Sequence, residues 1–164
     1  MEVKTKTMLL FWQADSIFSN WYQPSVFELH GQTFRNGEAG MMYQKARLFG
    51  DQAIMQRILD NQDPRTVRDL GRKVEGFDER VWTAQREQLV FEVCLAKFRS
   101  NPQLQVEMLA SGDRQLVEAS PYDRIWGIGL APDNPLAQQP RHWRGLNLLG
   151  QTLMRVRDVL RVED

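Results

Sequence analysis

Asp78-Glu-Arg-Val-Trp82-Thr-Ala-Gln-Arg86-Glu-Gln-Leu89-Val90-Phe91-Glu-Val93-Cys94-Leu-Ala96-Lys97-Phe98-Arg-Ser100 is the longest periodic stretch of the chain. Trp82, Leu89, Val93 and Ala96 recur at helical spacing, flanked by Val90, Phe91 and Phe98, which predicts one long helix with an apolar side. Asn101-Pro102 ends it and starts another helix, expected to run to about Ser111. Downstream, Leu116 to Ser120 and Ile125 to Ile128 read as two short strands around a turn at Pro121-Tyr122-Asp123. Residues 131–140, with three prolines in ten positions, read as an irregular loop. A last helix is expected from near Leu146, with Leu146, Leu149, Leu153, Val156 and Leu160 as its apolar stripe.

Upstream the same reading gives helices and two strand regions. Pro64 suits a first helical position and opens a helix to about Lys73. Another helix begins near Asp51 and stops before Asn61-Gln62-Asp63-Pro64. Asn36 can cap a helix running to Phe49 and stopped by Gly50. Val26 to Phe34 alternates apolar and polar residues around Gly31, which predicts a small hairpin, and Met8 to Trp12 reads as a buried strand. Helices dominate and do not alternate with strands. The expected class is therefore α+β: a single, predominantly helical domain over residues 1–164, with its core at about 8–162 and several short strands.

Composition narrows the function. A chain of 164 residues is about one domain. With 42% hydrophobic and 26% charged residues it has the make-up of a folded protein. Lys plus Arg and Asp plus Glu each number 21, which excludes a strongly basic nucleic-acid arm and an acidic tail. One cysteine, Cys94, permits no internal disulfide, and with only His30 and His142 beside it a Cys/His zinc site is not expected. No apolar run approaches 18 residues and the first residues lack the core of a signal peptide, so no membrane partner and a cytoplasmic address are expected. Gly-x-Ser-x-Gly, Walker and His-Glu-x-x-His motifs do not occur, which disfavours serine hydrolase, P-loop NTPase and zincin chemistry.

Three constellations carry chemistry. Glu38, Met42, Lys45 and Phe49 share one face of the Asn36–Phe49 helix. Glu38 and Lys45 stand two turns, about 10 Å, apart along that axis, too far for a close ion pair but able to flank a ligand. A carboxylate beside a sugar C1 can activate water or stabilise an oxocarbenium-like charge. A lysine in a dry pocket can lose its proton and attack an opened sugar aldehyde. The plainer alternative is a first-turn acid favoured by the helix dipole and a solvated lysine. The second constellation is Glu118-Ala-Ser120-Pro-Tyr-Asp123-Arg-Ile-Trp126-Gly127-Ile-Gly129. Here the glycines permit close backbone approach, the indole offers a flat face and Asp123 can accept ligand hydroxyls. Its alternative is a tight strand–turn–strand with a core Trp. The third, Phe18-Ser19-Asn20-Trp21-Tyr22, sets small polar groups among aromatics. Asn20 can donate and accept at once, as recognition of a base or ribose requires, or it can simply cap a turn. Among the arginines, Arg47, Arg72, Arg86, Arg141 and Arg144 are potential phosphate partners. Cys94 reads as an inert core thiol, and Asp113 as a turn residue.

In this order the segments resemble the NADAR / YbiA-like superfamily of N-glycosidases along about Phe11 to Leu160. The blocks are Phe18-Ser19-Asn20-Trp21-Tyr22, the Phe34-x-x-x-Glu38 step into Met41-Met42-x-x-Lys45-Ala46-Arg47-Leu48-Phe49, and Leu70-Gly71-Arg72. Then follow Trp82-x-x-x-Arg86, Leu95-Ala96-Lys97-Phe98, Ser111-Gly112-Asp113 and Leu116-Val117-Glu118-Ala119-Ser120-Pro121. Asp123-Arg124-Ile125-Trp126-Gly127-Ile128-Gly129 and Gly145-Leu146-Asn147-Leu148-Leu149-Gly150 complete the set. The resemblance implies hydrolysis of an N-glycosidic bond between a ribose C1 and a base or amine nitrogen. The implied substrates are phosphorylated intermediates of riboflavin synthesis or ADP-ribosylated guanine. No cofactor and no metal are implied, and sequence-general nucleic-acid binding is not expected. It implies Glu38 and Lys45 as catalytic residues. Asn20, Asp123 and Trp126 match the family positions that hold the ligand; Trp21, Arg47, Arg86, Ser120 and Gly127 complete the expected substrate-binding set, with Arg47 and Arg86 chosen as phosphate candidates for their guanidinium groups. The competing expectation is a module that binds ADP-ribose without cleaving it. One departure stands out: many relatives place Gln or His and then Tyr or Trp after the glutamate, where this chain has Ala39 and Gly40. The expected consequence is a wider pocket or closer approach of ligand to backbone.

Overall fold

A computed structural model describes residues 1–164. In chain order the elements are β1 (Glu2–Lys4), β2 (Met8–Phe11), β3 (Phe27–Leu29), β4 (Gln32–Phe34), α1 (Gly37–Leu48), α2 (Gln52–Asp60), α3 (Pro64–Gly71), α4 (Glu79–Ser100), α5 (Pro102–Ala110), β5 (Gln115–Glu118) and α6 (Leu148–Glu163). The fold is α+β and predominantly helical, as expected. The chain forms two compact units, one of residues 1–22 with 102–164 and one of residues 23–101.

In the first unit a three-stranded sheet runs β1-β2-β5, with β1 antiparallel and β5 parallel to β2. The middle strand is buried at all four positions, which is why its sequence is unbroken Met-Leu-Leu-Phe. Met8 and Leu10 join Val117, Ala119, Ile128, Leu130 and Ala137 in one apolar cluster, partly covered by Val3, Leu136 and Trp143. The edge strand β1, Glu-Val-Lys with only Val3 facing inward, carries too little apolar pattern to be read from sequence.

Ile125 to Ile128 is not a strand, which corrects the expectation. The Asp123 Oδ1 accepts the N–H groups of Ile125 at 2.9 Å and Trp126 at 2.8 Å, folding the backbone into a turn. The carbonyls of Ile125, Trp126 and Gly127 then accept the N–H groups of Leu148, Leu149 and Asn147, each at 3.1 Å. These carbonyls cap the N-terminus of α6, so they are unavailable to a ladder. For the same reason α6 starts two residues later than Leu146, whose side chain is exposed, while Leu149, Leu153, Val156 and Leu160 are buried as expected. Asn147, at φ 55°, is wholly buried. Its amide Nδ2 donates to the Leu116 carbonyl and its Oδ1 accepts the Glu118 N–H, both at 3.0 Å. At the other end of α6 the Arg157 Nη1 donates to the Ser111 Oγ at 2.9 Å and the Arg114 carbonyl at 2.8 Å, and Arg161 pairs with Asp113 at 2.9 Å. The Ser-Gly-Asp block is thus a docking corner for α6.

In the second unit β3 and β4 form the expected hairpin, with Phe27 opposite Phe34 and the left-handed pair His30-Gly31 at its tip. α1 is packed by α2, α3, α4 and β4, and eight of its twelve residues are buried. Asn36 caps it, its Oδ1 accepting the Ala39 N–H at 2.8 Å while its Nδ2 donates to the Gln62 carbonyl at 2.8 Å. Asp51, Asp63 and Asp78 cap α2, α3 and α4 in the same way.

Candidate active site

Two candidate side chains, two turns apart, share one side of α1. Glu38 and Lys45 are half-buried on it and Arg47 is exposed. Glu38 stands in the first turn, where unpaired N–H groups favour a negative charge. Lys45 is not the solvated lysine of the plainer reading. Its Nζ lies 4.6 Å from the ring centre of Phe77 and 5.9 Å from that of Trp82, and Phe77 in turn meets Phe49 edge-on at 5.4 Å. Burial pushes the Lys45 amine below its ordinary range; Glu79 and, more weakly, Glu38 favour the charged form, and Arg72 opposes it. A lysine so placed releases its proton more readily than one in water, and its free amine is the nucleophilic form.

Phe77, absent from the expected site residues, has a signal in the sequence. With Asp78 as cap, Phe77 and Trp82 occupy the two positions of a hydrophobic staple at the start of α4. Both rings of that staple flank the Lys45 amine. One turn beyond Trp82, on the same side of α4, lies Arg86. It is nine-tenths buried and its Nε–H has no hydrogen-bond partner. The second unit carries Glu38 and Lys45 on α1 and Trp82 and Arg86 on α4, with the Trp82 ring beside the Lys45 amine. The shallow depression of about 470 Å³ bounded by Asp78, Arg80, Val81, Ala84 and Gln85 lies along the solvent-exposed flank of α4.

Gly40 does not widen a pocket, contrary to the expectation. A Cβ there would sit 2.9 Å from the Phe27 ring and 2.9 Å from the Val93 side chain. The glycine lets the β3 aromatic and α4 close onto α1, and Ala39 beside it is fully buried. Next along, Gln44 is buried and bridges three elements, meeting His30 Nε2 at 2.8 Å and donating to the Leu89 carbonyl at 3.2 Å and Glu92 Oε2 at 2.8 Å.

The first unit holds the remaining candidates. Asn20 is buried, Trp21 is half-buried and the Trp21 N–H donates to the Ser19 Oγ at 3.1 Å. Ser120, Asp123 and Gly127 pack against one another. The Ser120 Oγ accepts the Asp123 N–H at 3.1 Å, and a Cβ on Gly127 would lie 2.9 Å from the Asp123 carbonyl oxygen and 3.1 Å from the Ser120 Cβ. The close backbone approach at Gly127 is thus made by the chain itself, and Oδ1 of Asp123 holds the turn that presents the buried Trp126. No group of three or more His, Cys, Asp or Glu side chains gathers as a metal site, and no helix is long and apolar enough to cross a membrane.

The chain is similar to known proteins in sequence and in fold. The chain is 37% identical to the N-glycosidase R617 of Acanthamoeba polyphaga mimivirus over 146 residues, 87% of this chain and 86% of that protein. It is 35% identical to the protein irg-1 of Caenorhabditis elegans, over 97% of this chain and 82% of the other. The NMR structure of the Escherichia coli protein YbiA superposes with a TM-score of 0.78 at 26% identity, covering 98% of this chain and 89% of that one. The NADAR domain matches residues 10–161, and the chain belongs to the NADAR domain family.

Proposed function

We propose that the chain is an N-glycosidase that hydrolyses the bond between a ribose C1 and a base or amine nitrogen. The observation that carries the reading is the Lys45 amine, half-buried over Phe77 on the helix face that also bears Glu38. The names of R617 and other relatives as N-glycosidases support the reaction type.

In this mechanism the Glu38 carboxylate takes a proton from water as the water oxygen bonds to C1. The C1–N bond breaks with its electron pair going to nitrogen, which takes the proton from the Glu38 carboxyl and leaves as the amine, returning Glu38 to its carboxylate. Charge that develops at C1 is stabilised by the same carboxylate. A covalent branch runs through Lys45. Its neutral Nζ adds to C1 of the ring-opened sugar and expels the base amine, and water then hydrolyses the imine. Phosphorylated riboflavin-type intermediates and ADP-ribosylated guanine are the substrate classes proposed. Asn20, Trp21, Ser120, Asp123, Trp126 and Gly127 are proposed as ligand contacts on the resemblance of their blocks.

The test is side-by-side turnover of a ribosylaminopyrimidine phosphate and ADP-ribosylated guanine in DNA, followed by mass spectrometry. Release of free base by the unaltered chain, lost in Glu38→Gln, is the expected result. Full turnover by Glu38→Gln on each accepted substrate overturns the role of Glu38. Tight ADP-ribose binding with no product over hours would instead mark a binding module. Borohydride reduction checks the covalent branch, since a Lys45 imine would be fixed as a stable amine adduct on that residue.

A further inference from the structure

We infer that the Trp12 and Tyr122 rings form an aromatic corner that receives the flat heterocycle of the ribosyl ligand. This deepens the N-glycosidase reading and rests on it for the class of ligand. Trp126, the indole expected to offer a flat face, is only 9% exposed, whereas Tyr122 in the same block is 84% exposed. The Tyr122 and Trp12 ring centres lie 6.0 Å apart with 57° between their planes. The pair is therefore an open angle, not a closed stack. A flat heterocycle can lie on one ring face with its edge toward the other, the offset and edge-on contacts that aromatic rings favour. Purines and pyrimidines alike can stack in this way, because each has a π-face.

Topology puts the two rings together. β2 and β5 run parallel, with Phe11 opposite Glu118, and the Ala119 N–H donates to the Phe11 carbonyl at 2.9 Å. Trp12 follows β2 directly and Tyr122 lies four residues beyond β5. Both stand past the carboxyl ends of a parallel pair, the place where ligands gather in open α/β sheets. The backbone holds each ring in position. The Trp12 N–H donates to the Met1 carbonyl at 2.9 Å, and Gln13 then turns the chain aside at φ 73°, a conformation that costs a non-glycine residue energy. The Tyr122 N–H donates to the Ser120 Oγ at 3.3 Å, and the Asp123 carboxylate fixes the turn that follows. Nor is Tyr122 a stray exposed ring. Ile125 and Leu146 are exposed as well, and the Leu146 N–H donates to the Arg124 carbonyl at 3.0 Å, so their backbones adjoin. Exposed apolar groups gathered in one place mark ligand or partner sites.

The experiment measures binding to the full chain by calorimetry, in a Glu38→Gln background that slows consumption of the ligands. The probes are a ribosylaminopyrimidine phosphate, ADP-ribose and ribose 5-phosphate, the last with no heterocyclic base. Adding Tyr122→Ala is expected to weaken at least one of the two base-bearing probes by about fivefold or more, the low end of what stacking one base is worth. Ribose 5-phosphate is expected to bind unchanged. Tyr122→Phe keeps the ring and is expected to keep the affinity. Tyr122 is exposed, so its replacement leaves the fold intact; Trp12→Leu, at a half-buried position, is expected to reproduce the loss. A loss on the ribosylaminopyrimidine phosphate puts the leaving heterocycle in the corner, and a loss on ADP-ribose puts the adenine there. Unchanged binding of both base-bearing probes in Tyr122→Ala, an equal loss on ribose 5-phosphate, or no binding of either base-bearing probe overturns the inference and leaves the glycosidase reading to its own turnover test. Absence of turnover by the unaltered chain, together with Tyr122-dependent binding, sinks the glycosidase reading and leaves recognition of the heterocycle standing.

Discussion

Lys45 shows how far one side chain's surroundings set its chemistry. Burial lowers its pKa while the Phe77 ring, 4.6 Å away, favours the ammonium form. Lysine must be neutral to attack, so turnover through Lys45 is expected to rise with pH to a midpoint below the ordinary 10.5 of a lysine. Phe77→Leu keeps the apolar cover and removes the ring. The loss of the cation–π contact is expected to move that midpoint further down, seen in the pH profile of kcat/KM. Glu38→Gln is expected to lower kcat by about 10²-fold to 10⁴-fold, the usual worth of a positioned acid–base group. Of this site, the sequence shows the Glu38–Lys45 spacing directly. It does not show that Lys45 is covered, because the cover comes from an aromatic 32 residues away in the chain.

A second lysine has the opposite kind of consequence. Lys97 is wholly buried, and burial, opposed by the influence of Cys94, takes its pKa down to about 8. Below pH 8 both folded and unfolded chains carry its proton and the folded state bears the full cost of burying the charge. Between about 8 and the unfolded value of 10.5 only the unfolded chain holds the proton, so stability is expected to rise with pH there. Urea midpoints at pH 7 and pH 9.5 check this. The rise should be present in the unaltered chain and largely absent from Lys97→Met.

At the scale of elements, local rules in the sequence were sufficient wherever a segment's own side chains decide its ends. Asn36, Asp51, Asp63 and Asp78 each cap the helix that follows, and the left-handed His30-Gly31 turn follows from the glycine. They were insufficient where a partner distant in sequence takes the backbone groups. Ile125 to Ile128 has the composition of a strand but spends its carbonyls on the start of α6, about 22 residues later. Gly40 is the sharpest case, since it lies mid-helix where a glycine costs about 1 kcal/mol relative to alanine. Gly40→Ala nevertheless is expected to destabilise the chain by about 1–3 kcal/mol, because a Cβ would meet the Phe27 and Val93 side chains at 2.9 Å. A lowered thermal midpoint with far-UV circular dichroism unchanged would register it.

At the scale of the whole molecule, equal numbers of acidic and basic residues leave little electrostatic attraction toward a polyanion. Turnover of ADP-ribosylated guanine in a DNA strand is therefore expected to fall with salt no more steeply than turnover of the corresponding mononucleotide, because few phosphates outside the modified nucleotide would be neutralised. Assays between 50 and 200 mM salt, roughly a range over which extended DNA contacts lose orders of magnitude, check this.

The Asn147 side chain has a further effect on how the chain behaves in a crowd of its own copies. β5 is the last strand of its sheet, and the Leu116 carbonyl and Glu118 N–H point away from β2. A single amide answers both, and the Glu118 carbonyl is taken by the Ile128 N–H at 3.0 Å. Open strand borders recruit foreign strands and seed aggregates. The asparagine acts as a one-residue imitation strand that closes the border from within. Its replacement by alanine would therefore do more than weaken the fold: it would uncover a template, and concentration-dependent assembly would follow, visible in light scattering before any loss of helix.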